Sequence, residues 1–145
     1  MKSSQKILVI RFSSIGDIVL ATSPLNTIRS AFPNAKITFL TLEKFSSLLE
    51  FHPHIDRLIS IPGKMKFREL WSFGGYLKRN GYDLIYDLHN SLRSNIVTFQ
   101  SRSHMFQLQK PRWKRLMLFH FHKNYFDPQF SNRSMYHEYL GSIWN

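Results

Sequence analysis

The chain has 145 residues and carries a formal net charge of +11, from 20 Lys and Arg against 9 Asp and Glu; it has no cysteine, and 43% of its residues are hydrophobic. That length and apolar content suit one domain with a real core and exclude a disordered chain; the missing cysteines exclude a disulfide framework, a thiol nucleophile and a Cys-based zinc site, and suit a reducing cytosol. No stretch approaches the roughly 18 consecutive apolar residues of a spanning helix, and the run after Met1–Lys6 is too short for a secretory signal.

Residues 6–12, Lys-Ile-Leu-Val-Ile-Arg-Phe, form a short β-branched run of the kind buried on both faces of a sheet. Ser13-Ser14-Ile15-Gly16-Asp17 breaks it. Ile18, Ala21, Leu25, Ile28 and Phe32 then recur at spacings of three and four and share one helical face. Ser23-Pro24 inside this stretch reads either as an N-cap followed by proline in the first turn or as a kink in a helix begun near Asp17. A second strand is expected over Lys36–Thr41, a short helix over Glu43–Phe51 closed by His52-Pro53, and a third strand over Arg57–Ile61. The basic loop Lys64-Met65-Lys66 leads to a helix over Phe67–Asn80, with Gly81 as its C-cap. A fourth strand follows over Asp83–Leu88, then a turn at His89-Asn90-Ser91 into a helix over 92–101, and a weak fifth strand over Met105–Leu108. Helices are expected over 112–122 and 133–143, with Asn124–Arg133 as a loose connection. Strands alternating with helices imply right-handed βαβ units: an α/β fold with a parallel sheet and helices on both faces.

Ligands of such a sheet bind at the carboxyl ends of the strands. Three loops there have suitable content. Ser13, Ser14, Gly16 and Asp17 follow the first strand with two hydroxyls, a glycine and an acid; the motif is neither G-x-G-x-x-G nor a P-loop, and Asp17 also suits a first-turn helix acid. Lys64, Lys66 and Arg68 open a helix against its dipole, which suits a phosphate grip or a solvated loop alike. After the fourth strand, the backbone of His89-Asn90-Ser91 with Arg93 suits an anion, and a plain N-cap by Asn90 or Ser91 accounts for the same residues. No metal site is expected: the pairs His52/His54 and His120/His122 have no evident third ligand.

The charge is unevenly spread. Between Asp87 and Asp127 there is no acid, while Arg93, Arg102, Lys110, Arg112, Lys114, Arg115 and Lys123 lie in the same stretch. Such a block points to an anionic partner, whether nucleic acid, phosphorylated small molecules or an anionic membrane surface, or to a solvated basic face. Nucleic acid is disfavoured, because no RNP-type motif accompanies the aromatics of 113–126.

Residues 7–25, from Ile7 through the Ser-Ser-Ile-Gly-Asp loop to Leu25, resemble the opening of glycosyltransferase family 9, the ADP-heptose:lipopolysaccharide heptosyltransferases. The resemblance continues over 28–40, over His54–Ile59, and over Tyr82–Leu88 with Ser94; beyond residue 100 it fades. It implies the N-terminal half of a GT-B fold: a single Rossmann-like acceptor-side domain over 1–145, with a C-terminal donor-binding domain absent. It further implies inverting transfer of heptose from ADP-heptose, a donor substrate rather than a cofactor, to a phosphorylated lipid A–Kdo acceptor, in the cytoplasm or peripherally at the inner membrane. Asp17 takes the place of the proposed general base. Lys64, Lys66 and Arg68 stand where acceptor anions are held, as do Arg112 and Arg115 further on. The family's His-x-x-x-Arg-Tyr pattern has no match at Ser134–Tyr139. The chain is therefore expected to be a truncated transferase, inactive by itself. The alternative is a non-enzymatic basic module that binds nucleic acid or an anionic membrane.

Overall fold

A computed structural model describes residues 4–108. Its elements in chain order are β1 (Lys6–Ile10), α1 (Ile15–Ala21), α2 (Ser23–Ala31), β2 (Lys36–Leu42), β3 (Arg57–Ile61), α3 (Phe67–Asn80), β4 (Leu84–Asp87), α4 (Leu92–Thr98) and β5 (His104–Gln107). The five strands form one sheet in the order β3-β2-β1-β4-β5, and every neighbouring pair is parallel. This is the parallel α/β architecture that the alternation of strands and helices predicts, with β1 at its centre.

Strand side chains alternate between faces, so each central strand feeds two cores. Ile7 and Val9 of β1 join Ile37, Phe39 and Tyr86 under Ile18, Ala21, Leu25 and Ile28 of α1 and α2. Leu8 and Ile10 join Leu40, Ile61 and Ile85 under Leu70 and Leu77 of α3 and Val97 of α4. At about 1.5–3 kcal/mol for each large side chain removed from water, these two layers are the main stabilising force.

Four local expectations are revised. The 18–32 segment is two helices: Thr22 stands between them, its hydroxyl bonded to the Val19 carbonyl (2.6 Å), and Pro24 sits in the first turn of α2, where its missing N–H costs nothing. In place of a helix over Glu43–Phe51 there is one 3-10 segment, Glu43–Leu48, none of whose side chains is buried. Only Phe45 of the segment packs against the cores, Leu48 is exposed, and Ser46 Oγ bonds back to the Glu43 carbonyl (2.8 Å), so it does not propagate. Third, α4 ends at Thr98, whose hydroxyl turns back to the Ser94 carbonyl at 2.7 Å, instead of running to residue 101. Finally, the basic start of α3 is no misfit: Glu69 in the first turn accepts the Lys66 amide at 2.7 Å, so an acid meets the helix dipole. Gly81 adopts the expected left-handed C-cap, at φ +66°. The helices expected over 112–122 and 133–143, the connection 124–133, and Ser134–Tyr139 lie outside the described residues.

Candidate active site

Strand β1 delivers Arg11 and Phe12 to the carboxyl edge of the sheet, and its register continues past the strand: Arg11 N donates to the Leu40 carbonyl (3.1 Å) and Leu88 N to the Ile10 carbonyl (3.0 Å). The chain then turns through Ser13 and Ser14 into α1, whose N-cap is Ser14 and whose third residue is Asp17. Asp17 Oδ2 accepts from Ser14 N (3.3 Å) and Ser14 Oγ (3.0 Å) and pairs with Arg11 Nη2 at 2.7 Å. Asp17 Oδ1 accepts no hydrogen bond among the described residues. The carboxylate keeps 30% of its side-chain exposure, whereas the Arg11 side chain keeps 6%. Asp17 thus caps the helix and pairs with Arg11 through one oxygen, while its side chain as a whole stays partly exposed.

Arg11 was legible only as part of a strand; its role emerges from the fold. The guanidinium is buried, with Nη1 on the Leu88 carbonyl (2.6 Å) at the tip of β4 and Nε without a partner among the described residues. One cation thus joins the ends of β1 and β4 to the first turn of α1. The signal available in sequence is a cation inside an apolar strand: a buried guanidinium needs an anion, and Asp17 is the nearest acid in the chain. Partial burial pushes the Asp17 carboxyl up, but the Arg11 charge and the two Ser14 hydrogen bonds together outweigh it, so its pKa lies below the ordinary carboxylate value.

The other two loops converge on the same edge. Arg93, in the first turn of α4, donates from Nη2 to the Gly63 carbonyl (2.6 Å) in the loop after β3 and lies 5.7 Å from the ring centre of Phe12. His89 meets the Phe12 ring edge to face at 5.3 Å. Buried Asp87 ends β4 and accepts both His89 N (3.1 Å) and Asn90 N (2.8 Å), which turns the chain there. Asn90 has φ +45° and donates from Nδ2 to the Leu108 carbonyl at 2.8 Å; Ser91, not Asn90, is the N-cap, accepting from Ser94 N. Arg93 and Asn90 are thus bound up in joining loops.

Lys64 and Lys66 are exposed on the loop after β3 and Arg68 is exposed in the first turn of α3; none of the three forms an ion pair among the described residues. Ser13 is half-buried, and a Cβ at Gly16 would meet no atom within 4 Å, so space rather than backbone strain surrounds that glycine. Arg112 and Arg115 lie outside the described residues. Two hollows, of about 670 and 430 Å³, open instead at the amino ends of the strands, around Asn34 and Asp83 and around Lys36 and Arg57; neither is lined by any of these site candidates. The pair His52/His54 has ring centres 5.8 Å apart, just ahead of β3.

Among known proteins, no family model matches the chain. It is 29% identical over 138 residues to lipopolysaccharide heptosyltransferase 1 of Campylobacter coli, a match that covers 94% of this chain and 40% of that one. It is 32% identical over 97 residues to lipopolysaccharide heptosyltransferase 2 of Escherichia coli K12, covering 65% of this chain and 28% of that one. A glycosyltransferase family 9 crystal structure from Veillonella parvula superposes with a TM-score of 0.72 at 22% identity, over 99% of this chain and 43% of that one. The chain thus spans two-fifths or less of the length of these curated relatives.

Proposed function

We propose, on the footing that the chain belongs to glycosyltransferase family 9 as the N-terminal Rossmann-like half of its GT-B fold, that it is an acceptor-side domain for inverting transfer of heptose from ADP-heptose to a lipopolysaccharide inner-core acceptor. The observation that carries this reading is the Asp17 carboxylate: it sits at the carboxyl edge of the central strand, one oxygen held by Arg11 and Ser14, in a side chain that stays 30% exposed.

In this mechanism an acceptor hydroxyl lies against Asp17 Oδ1 and its oxygen attacks the anomeric carbon of the donor. The bond from that carbon to the diphosphate breaks as the new one forms, ADP leaves with the bonding pair, and the hydroxyl proton passes to Oδ1. An ion-paired carboxylate is a weak base in the ground state. Proton transfer late in a loose transition state tolerates this, and nearby acceptor anions raise the carboxyl pKa. Protonated Asp17 leaves Arg11 buried without its counter-charge, which favours rapid loss of the proton. Lys64, Lys66 and Arg68 hold acceptor phosphate and carboxylate groups, joined by Arg112 and Arg115; Ser13, Ser14 and Gly16 border the sugar. Arg93 and Asn90 fix the loops around it. The donor is held by a second half of the kind the longer relatives have room for, and the acceptor, a phosphorylated lipid A–Kdo glycolipid, is met at the cytoplasmic face of the inner membrane.

Two assays test this. The 145-residue chain alone releases no ADP from ADP-heptose in the presence of acceptor. In an enzyme completed with a donor-binding half, Asp17→Ala lowers kcat by about 10²–10⁴-fold. Turnover by the lone chain, or near-normal kcat in the folded variant, contradicts the assignment.

A further inference from the structure

Outside the site, α3 and α4 pack against each other through Leu70, Gly74, Leu77 and Val97, and yet leave a run of rings on their outer side. Phe67 and Trp71 stack with centres 6.0 Å apart, and Trp71 meets Phe99 at 5.7 Å. These rings are 62%, 40% and 77% exposed, and Leu92, two helical turns before Phe99, is 77% exposed. Three touching exposed rings form a contiguous patch, which a water-facing helix layer has no reason to keep unless something covers it.

The surroundings say what covers it. Lys66 and Arg68 flank Phe67 in sequence and Lys64 lies just before; all three are exposed. The acid beside them, Glu69, is drawn to the Lys66 amide as a helix cap. Residues 109–123 carry Lys110, Arg112, Lys114, Arg115 and Lys123 and no acid, so laying them on this rim would bring like charges together, and a second copy of a chain with net charge +11 meets the same penalty. An anionic bilayer satisfies both parts at once: rings settle at the headgroup boundary, and cations gain about fivefold in affinity each near an anionic surface.

We propose that the Phe67–Trp71–Phe99 face, with Leu92 and the rim of Lys64, Lys66 and Arg68, is a docking surface for an anionic phospholipid bilayer. The inference deepens the proposed function, because a transferase with a lipid-anchored acceptor must work at a bilayer, and the basic rim adjoins the edge that carries Asp17. Its test needs no transferase activity, so the two readings fail separately.

The experiment is co-sedimentation of the 145-residue chain with vesicles of phosphatidylethanolamine and phosphatidylglycerol, against phosphatidylcholine alone. The chain is expected to partition onto the anionic vesicles and to keep a measurable fraction bound at about 0.5 M salt, where exposed charges are screened. The double variant Phe67→Ser/Phe99→Ser, with unchanged charge, is expected to bind about tenfold more weakly and to lose the salt-resistant fraction. In a Trp113→Phe/Trp144→Phe background, brominated acyl chains are expected to quench Trp71, a readout that stands even if the double variant misfolds. Equal binding by the folded double variant means adsorption by charge alone and overturns the proposal. So does an absence of Trp71 quenching, or failure of the parent chain to bind anionic vesicles, the result expected if the face serves an acidic protein.

Discussion

Arg11 and Asp17 form the pair on which the proposed chemistry rests, and the pair is asymmetric: the guanidinium is buried and the carboxylate side chain is partly exposed. Replacing Arg11 with Met removes the main attraction that offsets burial of the carboxylate, so the Asp17 carboxyl, followed by its carbon chemical shift, is expected to titrate higher than in the parent. Arg11→Lys retains part of the depression. An unchanged titration in folded Arg11→Met contradicts the role given to Arg11. The same pair sets the response to acid. Asp56 is also depressed: burial pushes it up, but the Ile37 amide and Arg29 at 2.7 Å more than offset this. Both carboxyls bind protons less readily in the folded chain than in the unfolded one. Their contribution to stability is therefore complete above about pH 5 and is lost as pH falls through and below the ordinary carboxylate range. Thermal melts from pH 7 down to 3 should show this, with a shallower fall for Asp17→Asn. Burial of the Tyr86 hydroxyl pushes its pKa up to about 12, so that group takes no part.

The elements differ in how much of them a linear reading reveals. Strands β1 to β3 and helix α3 were legible because apolar β-branched runs and Gly or Pro punctuation leave few alternatives. Gly81 shows why: its φ of +66° is open to glycine at little cost, and a Cβ there meets no atom within 4 Å. Gly81→Ala is therefore expected to lose about 1–2 kcal/mol from backbone strain alone. Gly74 was not legible. A Cβ there would stand 3.0 Å from the Val97 carbonyl oxygen and 3.1 Å from Gln100 Nε2, so it marks the close approach of α3 and α4. Gly74→Ala is expected to cost about 1–3 kcal/mol by overpacking, read by denaturant melts; a neutral result would mean that the two helices separate easily. The weak 43–48 segment failed to read as 3-10 because its spacing resembles a helix, and what decides against one is that Phe45 alone of its side chains packs against the cores.

At the scale of the molecule, strand order does what no local pattern states. It places β1 between β2 and β4, so that the loops after β1, β3 and β4 meet at one edge, and the Arg93–Gly63 bond spans thirty residues to join two of them. The Ser-Ser-Ile-Gly-Asp loop and the basic loop were both visible as motifs. Their shared edge followed from the βαβ alternation, but the guanidinium bridges holding it, from Arg11 to Leu88 and from Arg93 to Gly63, depend on tertiary distances that sequence spacing does not carry. No helix of the described residues is long and apolar enough to cross a membrane.

Amide NMR of the 145-residue chain, titrated with a phosphorylated lipid A–Kdo headgroup fragment, asks directly whether that edge is the acceptor site. The prediction is that shifts cluster at residues 13–17, 63–68 and 89–93, weaken with added salt, and include the Asp17 carboxyl. Shifts confined to the hollow around Asn34 and Asp83 at the opposite edge, or none at any concentration, would contradict it.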